Sequence, residues 1–275
     1  MPVFMFWNLA KNNVSRLLAS ACEDNNVDIL VLAECIESSS EILISLNGNI
    51  SQRVFREYKV VDSYVRVFVR YDLSCFKALY DDGRSSIREF RPPVGLPLLL
   101  VFCHLPSKLY KDDKNQHFVV RGLVNEIYRC EDRLGHSNTL VIGDLNINPY
   151  EDAMIAADGF HATMDKRIAM RVSRNVNGKK WKFFFNPCWN LLGDESSVSP
   201  GTFYYNNGGD IFNLYWNFFD QCLLRPNLLT YYTDGCFQII HQIRGRSLLS
   251  KTTTDRSISD HLPIKIYLDT ERYVP

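Results

Sequence analysis

Four short apolar runs in roughly the first half of the chain are each followed by a polar side chain, and this pattern constrains the fold more than any other feature. Residues 2–7, 29–33, 98–103 and 140–143 form the runs, and the polar residues that follow them are Asn8, Glu34, His104 and Asp144. Runs of this length are typical of buried strands. Polar residues at strand ends collect at the rim of a sheet, where the ligand sites of layered α/β proteins lie.

A fifth polar motif follows near the end of the chain, where Ser259, Asp260 and His261 are consecutive. A carboxylate beside an imidazole suits phosphate-ester chemistry. That chemistry needs a hard oxygen ligand for a metal and a group that can hydrogen-bond or protonate a phosphoryl oxygen. Asp144 and Asn146 are two residues apart, so they reach into one space if the strand geometry persists.

The other patterns predict the elements around these runs. Apolar residues at helical spacing predict one helix over 13–25 and a longer one through 118–128 that ends at Gly135. Ser38 and Glu41 are suited to start a further short helix. Strands are expected over 64–70, 75–79, 218–224, 237–243 and 264–268, among others. This mixture of helices and antiparallel segments predicts an α/β fold, with two sheets packed face to face and helices on both outer sides.

Five motifs in this order resemble the endonuclease/exonuclease/phosphatase superfamily. They are Trp-Asn at 7–8, Leu-Ala-Glu at 32–34, His-Leu at 104–105, Gly-Asp-Leu-Asn at 143–146 and Ser-Asp-His-Leu-Pro at 259–263. The resemblance runs from Asn8 to His261. It implies a four-layer sandwich with two mixed sheets, built by one catalytic domain over residues 1–275. It also implies a phosphoesterase that uses Mg²⁺, with Mn²⁺ as the alternative metal.

The resemblance implies a metal site at Glu34, supported by Asn8 and Asp260. Mg²⁺ prefers oxygen ligands and takes only one or two protein carboxylates, because waters and substrate oxygens complete its octahedron. The alternative for Glu34 is a solvent-exposed carboxylate at a strand end, since charged residues are mostly exposed.

The catalytic residues that the resemblance implies are Asp144, Asn146, His104, His261 and Asp220. Asp144 would orient or deprotonate the attacking water, and Asn146 would donate to a phosphoryl oxygen. His104 and His261 would hydrogen-bond the phosphate, with Asp220 fixing the tautomer of His261. The alternatives are turn chemistry for residues 143–146, a core histidine at His104 and a solvent-facing carboxylate at Asp220.

Some residues depart from the family pattern. Ala33 stands where many members have glutamine, and our alignment places Arg66 near the slot of an acidic partner for His104. Arg66 and Arg70 are therefore candidates for contacting phosphate bidentately, against the alternative of surface arginines. Residues 166–182 contain seven basic residues and no acid, with aromatic residues beside them. Trp181 and Lys182 in this segment suit a single-stranded nucleic acid, although such a run can equally be a solvated face.

Charge balance and cysteine pattern limit the kind of binding partner and the cellular compartment. Lys+Arg and Asp+Glu both number 31, so a strongly basic nucleic-acid binder is excluded, although a local patch suffices for a nuclease. The eight cysteines form no CxxC pair, and we find neither a signal peptide nor a membrane span, so we expect a cytoplasmic protein with free thiols.

The predicted function is a metal-dependent phosphodiesterase acting on nucleic acid. The alternatives are an enzyme acting on a small phosphate ester and an inactive binding module.

Overall fold

Two mixed β-sheets face each other in the computed structural model, which describes residues 2–48, 53–60, 63–108, 112–195, 198–209 and 211–269. Sheet 1 has the strand order β16-β21-β1-β2-β4-β3 and sheet 2 the order β5-β6-β7-β8-β15-β12-β9. The strands of sheet 1 are β1 Val3–Asn8, β2 Ile29–Ala33, β3 Arg56–Tyr58, β4 Val65–Val69, β16 Phe237–Ile239 and β21 Ile264–Tyr267. Those of sheet 2 are β5 Phe76–Asp81, β6 Ser85–Phe90, β7 Leu98–His104, β8 Thr139–Asp144, β9 Ala162–Thr163, β12 Phe184–Phe185 and β15 Asp220–Leu224.

Four short hairpins and several helices complete the fold. The hairpins pair β10 Ser173–Val176 with β11 Lys179–Lys182, β13 Phe203–Tyr204 with β14 Trp216–Asn217, β17 Gln242–Ile243 with β18 Arg246–Ser247, and β19 Leu249–Ser250 with β20 Thr253–Thr254. The α-helices are α1 Ser15–Asp24, α2 Ser39–Leu46, α3 Asp113–Leu134, α4 Asp152–Ile155 and α5 Lys166–Ala169. Three 3₁₀ turns cover Leu73–Cys75, Pro187–Leu191 and Pro226–Tyr231.

Strand β7 shows how the layers arise from the sequence. Leu98, Leu100 and Phe102 belong to the large core between the sheets, whereas the intervening Leu99 and Val101 belong to the core under α3. Alternate residues of a strand point to opposite faces, so a strand buried on both faces reads as one continuous apolar run. That is why the predicted four-layer α/β sandwich is confirmed, with α3 and α4 outside sheet 2 and α1 and α2 outside sheet 1.

The central strand of sheet 1 joins the two ends of the described chain. Strand β1 pairs in parallel with β2 and in antiparallel register with β21, so that Phe6 is the partner of both Val31 and Ile264. This pairing brings the end of β1 next to the segment just before β21. The first and last sequence motifs therefore meet in space.

The helix signals in the sequence are confirmed by the observed caps. Ser38 and Glu41 form a reciprocal capping box at the start of α2. Gly135, at φ 72°, follows the end of α3, where its left-handed conformation is one that residues with a Cβ avoid. The helix predicted over 13–25 is α1, which is shorter by a few residues because no side chain caps its N-terminus.

The sequence predicts no membrane span and predicts free thiols. No helix in the described ranges is long and apolar enough to span a bilayer. All eight cysteines are unpaired, and Cys22, Cys103, Cys130, Cys188, Cys222 and Cys236 are buried.

A buried ion pair ties α3 to sheet 2 at the end of the sheet where β8 begins. Glu131 accepts hydrogen bonds from Arg225 Nε at 2.7 Å, Lys182 Nζ at 2.9 Å and the hydroxyl of Thr139 at 2.6 Å. Burial disfavours the charged carboxylate, but Arg225, the Thr139 hydroxyl and Lys182 together hold the pKa of Glu131 below its ordinary value of 4.5.

Replacing Glu131 by glutamine should lower the free energy of unfolding by about 3 kcal/mol at pH 7, because Arg225 is left as an uncompensated buried charge. Urea unfolding followed by circular dichroism measures this. A depressed pKa stabilises the fold above pH 4.5, and this contribution is lost as the pH falls toward the folded-state pKa. The difference between wild type and variant should therefore shrink in acid. Glu126→Gln is the control and should cost less than about 0.5 kcal/mol, because Glu126 pairs within α3 with the exposed Arg129.

Candidate active site

The register of sheet 2 places three polar side chains side by side. His104, Asp144 and Asp220 are direct partners across β7, β8 and β15. Each continues the alternation of residues that point into the core between the sheets, such as Phe102, Ile142 and Cys222. All three are at most 8% exposed. The three side chains therefore form one buried polar row at the edge of the inter-sheet core.

Sheet 1 contributes two more of the predicted residues from the opposite side. Asn8, the last residue of β1, donates from Nδ2 to Asp144 Oδ2 at 3.0 Å. Glu34 comes directly after β2, and its Oε1 lies 3.9 Å from His104 Nε2. Glu34 is in the left-handed conformation, at φ 48°. That backbone is uncommon for a residue with a long side chain and costs free energy of order 1–3 kcal/mol.

The turn that holds His261 is fixed by two hydrogen bonds to the end of β1 and by one within the turn. Ser259 Oγ donates to the carbonyl of Asn8 at 2.7 Å and accepts from the backbone N–H of His261 at 3.0 Å. Trp7 Nε1 donates to the carbonyl of His261 at 3.0 Å. Thus the serine and the tryptophan of the first and last motifs position the histidine rather than act on a ligand.

His261 and Asp220 form a buried pair. Nδ1 of His261 donates to Asp220 Oδ2 at 2.8 Å, and both side chains are at most 8% exposed. Burial disfavours the imidazolium, but the carboxylates of Asp220 and Asp144 outweigh it and raise the pKa of His261 to about 10. Burial also raises the pKa of Asp220 above its ordinary value. At neutral pH the proton resides on the imidazole, and Nε2 of His261 faces Asp144. We call Asn8, Glu34, His104, Asp144, Asp220 and His261 the cluster.

The two histidines carry different charges although they face the same oxygen. Nε2 of His104 lies 3.7 Å from Asp144 Oδ2, and Nε2 of His261 lies 3.9 Å from it. Burial lowers the pKa of His104, and the carboxylates of Asp144 and Glu34 only partly offset this. The site therefore pairs a neutral imidazole with an imidazolium around one carboxylate, which gives it a hydrogen-bonding group and a cationic donor.

Asn146 and Gly143 shape the loop around Asp144. The backbone N–H of Asn146 donates to Asp144 Oδ1 at 3.0 Å, and its Nδ2 donates to the carbonyl of Leu105 at 2.9 Å. Asn146 adopts φ 52°, a conformation that asparagine tolerates. A Cβ on Gly143 would lie 2.0 Å from the carbonyl oxygen of Cys103. Only glycine lets β7 and β8 approach this closely beside the cluster.

The site contains oxygen donors of the kind that bind divalent metals. The side chains of Glu34 and Asp260 are 34% and 33% exposed, and Asp260 Oδ1 lies 3.9 Å from His261 Nε2. Asp144, Asp220 and His261 also place one ligand atom each within 4.8 Å of one another. However, Asp220 and His261 already bond each other there. The partly exposed carboxylates better match an ion that keeps waters, as Mg²⁺ does.

Arg66 is not directed at the cluster. Its guanidinium donates to the carbonyl of Glu37, to Ser39 Oγ at 2.7 Å and to Glu57 Oε1 at 3.2 Å. It thereby anchors the segment that follows Glu34. Arg84, rather than Arg66, is the arginine next to His104, because its carbonyl accepts from the N–H of His104 at 2.9 Å. Among the described residues, Nδ1 of His104 has no hydrogen-bond partner.

The other three predicted substrate-binding residues lie at the far ends of the sheets. The N–H of Arg70 bonds the carbonyl of Asp28, at the end of β2 away from Glu34. Lys182 binds Glu131, whose partner Thr139 begins β8, whereas Asp144 ends it. The length of that strand is about 17 Å. Trp181 lies in the same hairpin, under the ammonium of Lys179 at 3.9 Å. A run of charges in the sequence carries no information about which end of a sheet it covers.

Several residues beside the cluster were not predicted to have a role. Arg84 stacks its guanidinium on the ring of Tyr64, 3.8 Å from the centroid, and Tyr64 meets His104 edge-on at 6.2 Å. Thr202 Oγ1 accepts from the N–H of Asp220 at 3.1 Å, and Asn148 Oδ1 accepts from the N–H of Phe218 at 2.8 Å. None of them belongs to a sequence motif. Only their position relative to the strand ends identifies them.

No family model matches this sequence, and neither does any curated protein. Several solved structures share its fold. D. rerio TDP2 complexed with a single-strand DNA product is 17% identical over 96% of this chain and 97% of its own, with a TM-score of 0.52. The endonuclease domain of TRAS1, a telomere-specific non-LTR retrotransposon, is 11% identical, with 100% of both chains covered and a TM-score of 0.52. An endonuclease/exonuclease/phosphatase family protein from Leptotrichia buccalis is 10% identical over 98% of this chain and 99% of its own, with a TM-score of 0.53.

At these identities the similarity concerns the fold. The chain has the fold of the endonuclease/exonuclease/phosphatase superfamily, as the order of its motifs predicted.

Replacing Asp220 by asparagine should lower the pKa of His261 from about 10, because the desolvation that opposes the imidazolium remains while its nearest carboxylate is lost. A pH titration of the imidazole NMR signals measures the shift. Asp158→Asn is the control, since Asp158 pairs with His117 and should leave the His261 signal unchanged. A His261 pKa that is the same in Asp220→Asn and wild type would contradict the assigned pair.

Proposed function

We propose that this protein is a divalent-metal-dependent phosphodiesterase that hydrolyses nucleic-acid phosphodiester bonds. The observation that carries the proposal is the convergence of His104 Nε2 and His261 Nε2 on Asp144 Oδ2, within 3.9 Å. A carboxylate that can orient water, a neutral imidazole and an imidazolium are the groups that an in-line displacement at phosphorus requires.

Asp144 orients the attacking water and accepts its proton. The hydrogen bonds from Asn8 and from the backbone of Asn146 hold both of its oxygens in place. The water oxygen forms a bond to phosphorus while the bond to the leaving oxygen breaks. His261 Nε2–H donates to a non-bridging oxygen as charge develops there, and Asp220 keeps that imidazole protonated and oriented. His104 and the remaining amide N–H of Asn146 hold the other oxygens.

The carboxylates of Glu34 and Asp260 would hold the metal. When bound there, such an ion would supply positive charge that offsets the charge developing on the phosphoryl and leaving oxygens.

Nucleic acid as the substrate is supported by the neighbours of the fold and by the mouth of the site. A TDP2 structure of this fold contains a single-strand DNA product, and another neighbour is an endonuclease domain. Beside His104, Arg84 has no carboxylate partner among the described residues and is held flat on Tyr64. An arginine in that position is suited to a phosphate oxygen.

Glu34→Gln and His261→Ala should each lower kcat on a labelled oligonucleotide by at least a hundredfold with Mg²⁺ present, since each removes a group that acts on the developing charge. EDTA should abolish the wild-type activity. In Glu34→Gln, calorimetric titration should also show weakened Mg²⁺ binding. The matched controls are Glu126→Gln and His117→Ala, whose side chains lie along α3 away from the cluster.

The same assays distinguish the nuclease from a small-molecule phosphoesterase and from an inactive binding module. Hydrolysis of nucleotides or other small esters with no cleavage of DNA or RNA would replace the nuclease by a small-molecule phosphoesterase. Full activity in His261→Ala would contradict the residue assignment. Metal binding without hydrolysis of any phosphate ester would favour an inactive binding module.

Arg84→Ala should raise KM for the oligonucleotide about tenfold or more with a smaller change in kcat, because one charge-assisted hydrogen bond to phosphate contributes about 1.5–3 kcal/mol. Arg91→Ala is the matched control. The two arginines flank β6, but Arg91 lies at its other end and pairs with Glu89. Equal KM values in Arg84→Ala and wild type would exclude the phosphate contact.

A further inference from the structure

A group of exposed apolar side chains extends from the hairpin next to His261. We call Ile211, Phe212, Leu214 and Tyr215 the apolar tip, and these residues are 92%, 89%, 56% and 49% exposed. They connect β13 to β14. Isolated exposed apolar residues are ordinary on protein surfaces, but several large ones together on one loop mark an interaction site.

The base of this hairpin is fixed to the catalytic cluster. Phe203 forms a backbone bridge with His261, and Leu262 N–H donates to the carbonyl of Thr202 at 2.8 Å. A Cβ on Gly201 would lie 2.5 Å from the carbonyl oxygen of Asn217, so the two sides of the base are in close contact. The apolar tip is therefore attached to the catalytic histidine through one short, constrained stem.

Aromatic rings lead from the hairpin to the histidine. The rings of Tyr205 and Phe203 are 6.4 Å apart with planes 10° from parallel, and Phe203 lies 4.6 Å from the imidazole of His261. Phe219 stacks on Phe203 at 5.3 Å. We call Tyr205, Phe203 and Phe219 the ring ladder. Its outer member, Tyr205, is 43% exposed, so the ladder ends in an accessible ring face.

The sequence of the hairpin limits what can bind to it. Residues 203–219 contain no lysine or arginine and one acid, Asp210. This stretch therefore offers no side-chain cation to form an ion pair with a phosphate or with an anionic lipid headgroup. The surface thus fits an uncharged, planar, apolar partner. Nucleobases have that character, because each presents a π face whatever its identity. Apolar side chains such as Phe, Leu and Ile also insert between base steps.

We propose that the apolar tip and the ring ladder bind the bases next to the phosphodiester held at the cluster, with the ladder stacking one base and the tip separating it from its neighbour. This rests on the proposed function, since it names how that site would recognise a single strand. The phosphate would then be fixed by the cluster and the bases by the hairpin. Recognition through π faces tolerates any sequence.

The test compares two single strands with the same phosphates, one with ordinary bases and one of equal length built from tetrahydrofuran abasic sugars. Wild-type protein should show a kcat/KM at least tenfold higher for the strand with bases, because stacking contributes about 1–3 kcal/mol per base. In Ile211→Ser/Phe212→Ser and in Tyr205→Ala, this preference should fall toward one. Tyr205→Phe keeps the ring and should keep the preference.

Ile44→Ser/Phe118→Ser is the matched control. It removes the same two residue types from α2 and α3, where they are 71% and 72% exposed. The base preference of this control should equal that of the wild type. Cleavage of both strands with equal efficiency by wild-type protein, or an unchanged preference in the tip variant, would overturn the inference and leave the phosphodiesterase intact. Failure of the wild type to cleave either strand with any metal would instead contradict the proposed function.

A lipid surface is the competing partner for an apolar loop. Sedimentation with phosphatidylcholine vesicles measures it directly. No vesicle binding by wild-type protein is expected. Vesicle binding that is lost in Ile211→Ser/Phe212→Ser would assign the apolar tip to a membrane and overturn the base-binding inference.

Discussion

The register between the three central strands of sheet 2 is the constraint on which the site depends. His104, Asp144 and Asp220 meet only because β7 and β8 end, and the antiparallel β15 begins, at the same level and with the same face. A slip of one residue in any pair would turn one side chain to the opposite face of the sheet. Apolar residues on both faces fix this register, because Phe102 and Val101 belong to different cores. Packing far from the chemistry thus decides the geometry of the cluster.

The cluster contains two features that cost free energy of folding, strained backbone and crowded acidic groups. Glu34 and Asn146 both have left-handed backbones, and four acidic groups crowd around two histidines. Like charges in a dry site repel, so the arrangement needs a cation to be stable. The imidazolium of His261 supplies one. A metal at Glu34 and Asp260 would supply more, which is consistent with their being the most exposed carboxylates of the group.

Most of the fold and of the cluster could be predicted because both leave local signals. A buried strand reads as an apolar run, and the residue after it lies at the sheet rim, so Asn8, Glu34, His104 and Asp144 could be placed from the sequence. Residues whose position depends on long-range packing, such as Arg66 and Arg84, leave no such local signal in the sequence. Arg66 is one residue from a strand start, but its neighbours come from residues 37–57. Arg84 borders His104 only through strand pairing, and nothing in its sequence context marks it.

The basic segment 166–182 illustrates why charge in a sequence is a poor guide to binding. Lys166 pairs with Asp234 at 2.6 Å, Arg167 with Asp165 at 3.0 Å, and Lys182 with buried Glu131. These cations are used within the fold, at a distance from the cluster. A chain with zero net charge and its basic residues used in this way gains little from long-range attraction to a polyanion. For the proposed nuclease, affinity for a nucleic acid would then come from short-range contacts at the site, and bases provide the largest uncharged surface there.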